Sequence, residues 1–135
     1  MLFRSVRHSV TIHSAVDADT PKILVDRVQL QQVFMNLMLN AIEAMKDTGG
    51  ELTLQSRVNP DGSLFVSISD TGVGLPKDWT EEIFDPFHST KPQGTGMGLT
   101  ITRSIVESYG GRVWATNNQG TGATFYFTLP HEAHA

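Results

Sequence analysis

Val28-Gln29-Leu30-Gln31-Gln32-Val33-Phe34-Met35-Asn36-Leu37-Met38-Leu39-Asn40-Ala41-Ile42-Glu43-Ala44-Met45 is the stretch around which the rest of the sequence can be ordered. Leu30, Val33, Phe34, Leu37, Met38, Ala41, Ile42 and Met45 recur at intervals of three and four. That spacing predicts an amphipathic helix whose apolar stripe is wide enough to lie on a sheet. Asp26 is placed to cap its N-terminus, and Gly49-Gly50 closes it. The run 28–42 carries no charge, but its amides at Gln29, Gln31, Gln32, Asn36 and Asn40 exclude a membrane-spanning helix. Asn36 and Asn40 are four residues apart, so both carboxamides lie on one face.

Before this helix, Val10, Ile12 and Val16 alternate with Thr11 and His13, the pattern of a half-buried strand ending at 17–21, with a short extended piece at 22–25. After it, strands are predicted over 51–58 and 63–69. Asn59-Pro60-Asp61-Gly62 between them is the chemistry of a hairpin turn. A glycine-bearing loop at 70–76 and one or two helical turns at 78–83 come next. Residues 84–98 hold two prolines and three glycines and read as a loop. Leu99, Thr102, Ile105, Val106 and Tyr109 give a second amphipathic helix ending at Gly110-Gly111, and a last hairpin pairs 112–116 with 123–129 around 117–122. This order is not the strict strand–helix alternation of a doubly wound fold. It predicts an α/β (α+β) two-layer sandwich, one mixed and mostly antiparallel sheet with helices on one face.

The length of 135 residues fits a single domain over 1–135, with about 1–9 expected as the remnant of an upstream linker and 131–135 as a C-terminal tail. Ten Lys+Arg against fourteen Asp+Glu leave a net charge of −4 and no basic block, which argues against nucleic acid or a membrane surface as partner. Cysteine is absent, which removes disulfides, thiolate metal sites and thiol chemistry and fits a reducing compartment. Residues 1–10 carry Arg4, Arg7 and His8 without the apolar run of a signal peptide.

Three groups of residues carry candidate chemistry. Asn36 and Asn40, with Glu43 and Ala44 beside them, offer hard, neutral carboxamide oxygens of the kind that suit a magnesium ion arriving with phosphate and water ligands. Asp70-Thr71-Gly72-Val73-Gly74 follows a strand directly. A carboxylate there accepts from an exocyclic amine, and its glycines let backbone approach a flat ring, which favours adenine over guanine. Gly94-Thr95-Gly96-Met97-Gly98 precedes the second helix, where backbone N–H groups and the helix terminus can face an anion. Leu99 stands where a dinucleotide fingerprint needs glycine, and no Lys-Ser/Thr follows as in a P-loop. Lys91, in the preceding loop, is within reach of a terminal phosphate. Each feature also has a plainer reading: helix-surface amides, an Asp-Gly turn, a solvated lysine. Together they ask for a ligand with a donor-bearing ring, several phosphates and a hard divalent cation, which is Mg-ATP.

The combination resembles sensor histidine kinases of two-component systems. Residues 32–45 resemble their N box, 70–74 their first glycine box, Ile83-Phe84-Asp85-Pro86-Phe87 their F box, 94–99 their second glycine box, and 122–130 their closing strand. The resemblance implies the Bergerat (GHKL) ATP-binding fold with a flexible lid over ATP or ADP. By matching position it implies Asn40 as the Mg2+ ligand, Asn36 supporting it or contacting phosphate, and Asp70 on the adenine amine. Gly72 and Gly74 would flank the base, with Leu75 and Phe84 close by. Thr90 and Lys91 would belong to the lid, and Gly94, Thr95, Gly96, Met97, Gly98 and Leu99 would cradle the phosphates. Asn36, Asn40 and Lys91 are the candidate catalytic residues. Phe87-His88-Ser89-Thr90-Lys91 and Glu43 look closest to the oxygen- and nitrogen-sensing type. Ala123 occupies a place where many members carry a hydroxyl, which Thr124 would have to replace.

In hydrolases of this fold a Glu four residues before the magnesium Asn activates water. Here that position is Asn36, whose amide cannot take a proton at neutral pH. Transfer to a histidine is therefore favoured, although Glu43, one turn from Asn40, leaves a stand-alone ATPase or serine kinase open. A non-catalytic nucleotide-sensing module is the remaining alternative. None of His8, His13, His88, His131 or His134 lies in the family's acceptor box. The expected partners are thus ATP, a phosphoacceptor dimerisation domain of the same full-length kinase and, indirectly, a response regulator. The domain itself is expected in the cytoplasm, without a membrane span.

Overall fold

Val33, Leu37, Ala41 and Met45 follow one another at four-residue intervals, and all four are fully buried. Leu30, Phe34, Met38 and Ile42 pack beside them, so the predicted stripe is the buried face of helix α1 (Arg27–Ala44). Asp26 caps it as expected: its carboxylate accepts from the Gln29 backbone N–H at 3.1 Å. The computed structural model describes residues 10–16, 26–47, 49–75, 84 and 95–130. The expected linker at 1–9, the extended piece at 22–25, the helical turns at 78–83 and the tail at 131–135 lie outside the described residues.

The strands are β1 (Val10–Val16), β2 (Gly50–Val58), β3 (Leu64–Asp70), β4 (Arg112–Asn117) and β5 (Ala123–Leu129), in the spatial order β1-β2-β3-β5-β4. β1 runs parallel to β2, to which it connects through α1, and every other pair is antiparallel. The sheet is therefore mixed and mostly antiparallel, as the sequence predicts. Alternate residues Leu64, Val66 and Ile68 on β3 and Ala123, Phe125, Phe127 and Leu129 on β5 face the helices and are buried. Phe34 of α1 meets Phe127 edge-on, with ring centroids 5.5 Å apart. On the opposite face Trp114 stacks on Tyr126 at 5.1 Å, while Arg57 lies over Phe65 and Arg112 over Trp114.

Helix α2 (Thr95–Ser108) packs on α1 and on the β4–β5 side of the sheet. The helices run antiparallel: Tyr109, just past the end of α2, donates its hydroxyl to Gln29 near the start of α1 at 2.5 Å, whereas Asn36 meets Gly98 in the first turn of α2. One boundary differs from the expected one. Residues 95–98 are helical rather than the end of a loop, so α2 begins inside the glycine box. Glycine costs about 1 kcal/mol per position in a helix. Here the burial of Leu99 and the hydrogen bond from Asn36 to the Gly98 carbonyl hold the turn. Among the described residues no helix is long and apolar enough to cross a membrane.

Candidate nucleotide-binding site

Strand alternation places Asp70 on the helix face after Val66 and Ile68, and this last residue of β3 is 1% exposed. A buried carboxylate needs donors. Its Oδ1 accepts from the Gly72 N–H at 2.9 Å and the Ala123 N–H at 3.3 Å, which fixes the plane of the carboxyl group. The chain then turns away from the sheet, and the Val73 N–H donates to the carbonyl of Ala44 at the end of α1. A side chain at Gly72 would put its Cβ 2.3 Å from that carbonyl oxygen, so only glycine allows the approach. Gly74 has φ +78° and turns the chain toward the β4–β5 hairpin. There Asn117 accepts from the Leu75 N–H at 2.8 Å and donates to the Leu75 carbonyl at 3.0 Å.

Asn40 is buried on α1, Glu43 is half-buried with its Oε1 atom shielded from water, and Ala44 is half-buried. The C-terminal half of α1, the 70–75 loop and the N-terminal turn of α2 thus converge at one end of the sheet. Two features could receive an anion and its counter-ion there: the partial positive charge of the α2 N-terminus, and the carboxamide of Asn40. Among the described residues no group of three His, Cys, Asp or Glu side chains is arranged to hold a metal. A single carboxamide suits Mg2+ only when phosphate oxygens and water complete the shell, so the donor set fits a metal that arrives with a nucleotide.

Several predicted site residues also make contacts within the fold. Asn36 donates its amide nitrogen to the Gly98 carbonyl at 3.1 Å and the Thr102 hydroxyl at 3.3 Å, so this group fastens α2 to α1. Phe84 is 3% exposed and meets Phe125 edge-on at 5.9 Å; its ring is a core element, and its carbonyl accepts from Thr100. Leu99 is likewise in the core. Thr124 donates its hydroxyl to the Asn118 carboxamide oxygen at 2.6 Å and lies 3.0 Å from the Ser69 hydroxyl, so it also braces the hairpin beside the 70–75 loop. Hydrophobic spacing accounts for Phe84 and Leu99, since the same residues that mark a motif also fill the core beneath it. Thr90, Lys91 and Gly94 lie outside the described residues, as do the side chains of Thr95 and Met97; residues 95–97 contribute the first backbone turn of α2.

Asn117 and Asn118, which the sequence marks only as residues of the last hairpin, are both bonded to the 70–75 loop. Asn118 donates to the Asp70 carbonyl at 2.9 Å and to the Ser69 hydroxyl at 3.2 Å, and accepts from Thr124 at 2.6 Å. The available signal was an Asn-Asn pair ahead of two glycines, which by itself says only turn.

Residues 25–133 match the family described as histidine kinase-, DNA gyrase B-, and HSP90-like ATPase. The sensor protein FixL of Bradyrhizobium diazoefficiens is 44% identical over 123 residues, covering 90% of this chain and 24% of FixL. The nucleotide-free catalytic domain of histidine kinase ThkA superposes with a TM-score of 0.81 at 34% identity, covering 92% of this chain and 80% of that one. ThkA in complex with the response regulator protein TrrA gives 0.75 at 30% identity, over 90% of this chain and 34% of that one. Full-length ShkA in complex with AMPPNP gives 0.78 at 32% identity, over 90% of this chain and 25% of that one. The chain spans about a quarter of the length of FixL.

Proposed function

Since the chain belongs to the histidine kinase-, DNA gyrase B-, and HSP90-like ATPase family and is the ATP-binding catalytic domain of a sensor histidine kinase, we propose that it holds Mg-ATP at the α1–α2 end of the sheet. There it presents the γ-phosphate to a histidine on a separate dimerisation domain. The observation that carries this reading is the pinned carboxylate of Asp70. Two backbone donors hold Oδ1 and so restrain the carboxyl group; on this reading the carboxylate is the acceptor for the adenine amine.

Asn40 would hold the metal, which when bound offsets the negative charge of the phosphates. The N-terminal turn of α2 would face the phosphates, and Lys91, as the sequence resemblance implies, would supply a cation to them. Asn36 acts through position: by tying Gly98 and Thr102 to α1 it sets where the α2 terminus points. Because its amide is engaged in this way and cannot take a proton, water receives no general base at that position. A neutral imidazole is already a nucleophile, so transfer to histidine requires mainly alignment of the γ-phosphate and neutralisation of its charge. The complex of ThkA with TrrA supports a response regulator as the onward acceptor in the full-length protein.

Calorimetric titration with ATP, with and without Mg2+, followed by addition of a dimerisation segment and γ-labelled ATP, tests the proposal. Tight magnesium-dependent binding and label on the segment's histidine are expected. Rapid phosphate release by the chain alone would make it an ATPase instead.

A further inference from the structure

The 70–75 loop is held at both ends by one other part of the chain, the β4–β5 hairpin, 42 to 53 residues away in sequence. Asn118 donates to the carbonyl of Asp70, where the loop begins. Asn117 takes both backbone groups of Leu75, where it ends, much as a neighbouring strand would. The Ala123 N–H reaches the Asp70 carboxylate. Gly122 makes this closeness possible: it has φ +92°, and a Cβ there would lie 1.9 Å from the Asp70 carbonyl oxygen. Asn118 is in turn oriented by Thr124, whose hydroxyl donates to its Oδ1, and by Thr121, whose carbonyl accepts from its Nδ2 at 3.3 Å. α1 supplies the third point of support, at Val73.

We propose that Asn117 and Asn118 are positioning residues that set the base specificity of the nucleotide site, acting through the loop that carries Asp70. A carboxylate discriminates an amine from a carbonyl only if its outer oxygen stays in place. A loose loop can tilt to accommodate either group, and selectivity then decays toward none. The hairpin places three side-chain hydrogen bonds on the two ends of the loop, which is the arrangement expected of a specificity support. The inference rests on the proposed adenine contact of Asp70.

The test is calorimetric titration of the 135-residue chain and its variants with ATP and with inosine triphosphate, whose ring carries a carbonyl in place of the amine. Asn117→Ala and Asn118→Ala are each expected to lower the ATP-over-inosine preference by about tenfold, the loss of one or two hydrogen bonds' worth of order in the loop. Asn117 is exposed, so Asn117→Ala leaves the fold in place and decides the matter alone if Asn118→Ala does not fold. Hydrogen exchange at the Leu75 amide is expected to quicken in Asn117→Ala. A fall in melting temperature with unchanged base preference would overturn the inference, leaving the hairpin a merely structural support. Asp70→Asn, titrated in parallel, separates the two readings. If it changes base preference and the asparagine variants do not, only this inference fails; if Asp70→Asn also changes nothing, the adenine contact itself is wrong and the inference falls with it.

Discussion

Asp70→Asn isolates one atom of the site. Asparagine has the same shape as aspartate, and the two backbone donors at Gly72 and Ala123, 2.9 and 3.3 Å from Oδ1, select which way its amide lies. The amide oxygen must accept from them, because the reverse orientation would set an NH2 group against two N–H groups in a site that is 1% exposed. The NH2 therefore occupies the outer position, where the adenine amine would approach. A charge-assisted hydrogen bond worth about 1.5–3 kcal/mol is replaced by two opposed donors. ATP affinity should fall by roughly 10- to 150-fold, at about 1.4 kcal/mol per decade. Inosine triphosphate, which offers an acceptor at the same ring position, should gain, so the preference between the two nucleotides should reverse. Titration calorimetry on both proteins with both nucleotides measures this directly. Unchanged ATP affinity, or equal losses for the two nucleotides, would refute the assignment of Asp70 to the adenine amine.

Other outcomes follow from the same geometry. Asn40→Ala should weaken ATP binding in Mg2+ by tenfold or more while changing metal-free binding far less; equal losses in both conditions would mean the buried amide is only structural. The chain by itself should acquire no label from γ-labelled ATP, since none of its five histidines has an acceptor context; phosphohistidine on the isolated chain would contradict this. At the tip of the β2–β3 hairpin the Asp61 carboxyl is held below the ordinary carboxylate range by hydrogen bonds from the Ser63 hydroxyl and backbone N–H. A lowered folded-state pKa contributes stability above the unfolded value and loses it as pH falls through the folded one. NMR titration should therefore find Asp61 ionised to lower pH than a free aspartate, and Ser63→Ala should move it back up.

Helix positions were legible because burial and periodicity say the same thing. The stripe of α1 is buried residue for residue as its spacing implies, and Asp26 caps it as its side chain suggests. Hairpin positions were legible from turn chemistry, as at Asn59 to Gly62, where the Asn59 N–H donates to the Ser63 carbonyl at 2.9 Å. The start of α2 departs from the expected loop because glycine is a poor local signal for helix, and packing of Leu99 and the bond from Asn36 override that preference. Motif order singles out Asp70 and the nearby glycines, and the structure brings them together at the end of β3. That Phe84 and Leu99 are buried in the core, and that Thr124 bonds Asn118, is not legible there, because a motif records which residues occur together and not what each one packs against.

Sequence by itself determined the two helices, the hairpins, the two-layer class and the kind of ligand, since each depends on local periodicity or on residue chemistry within a few positions. Only the tertiary structure decided how the site is held. Asn117 and Asn118 meet the Asp70 loop across the sheet order β3-β5-β4, and Asn36 meets α2 across an antiparallel helix pair. Such contacts join residues more than 40 positions apart through hydrogen bonds whose partners are mostly backbone groups. Backbone N–H and carbonyl groups are the same at every residue, so no pattern of side chains announces them until the chain is folded.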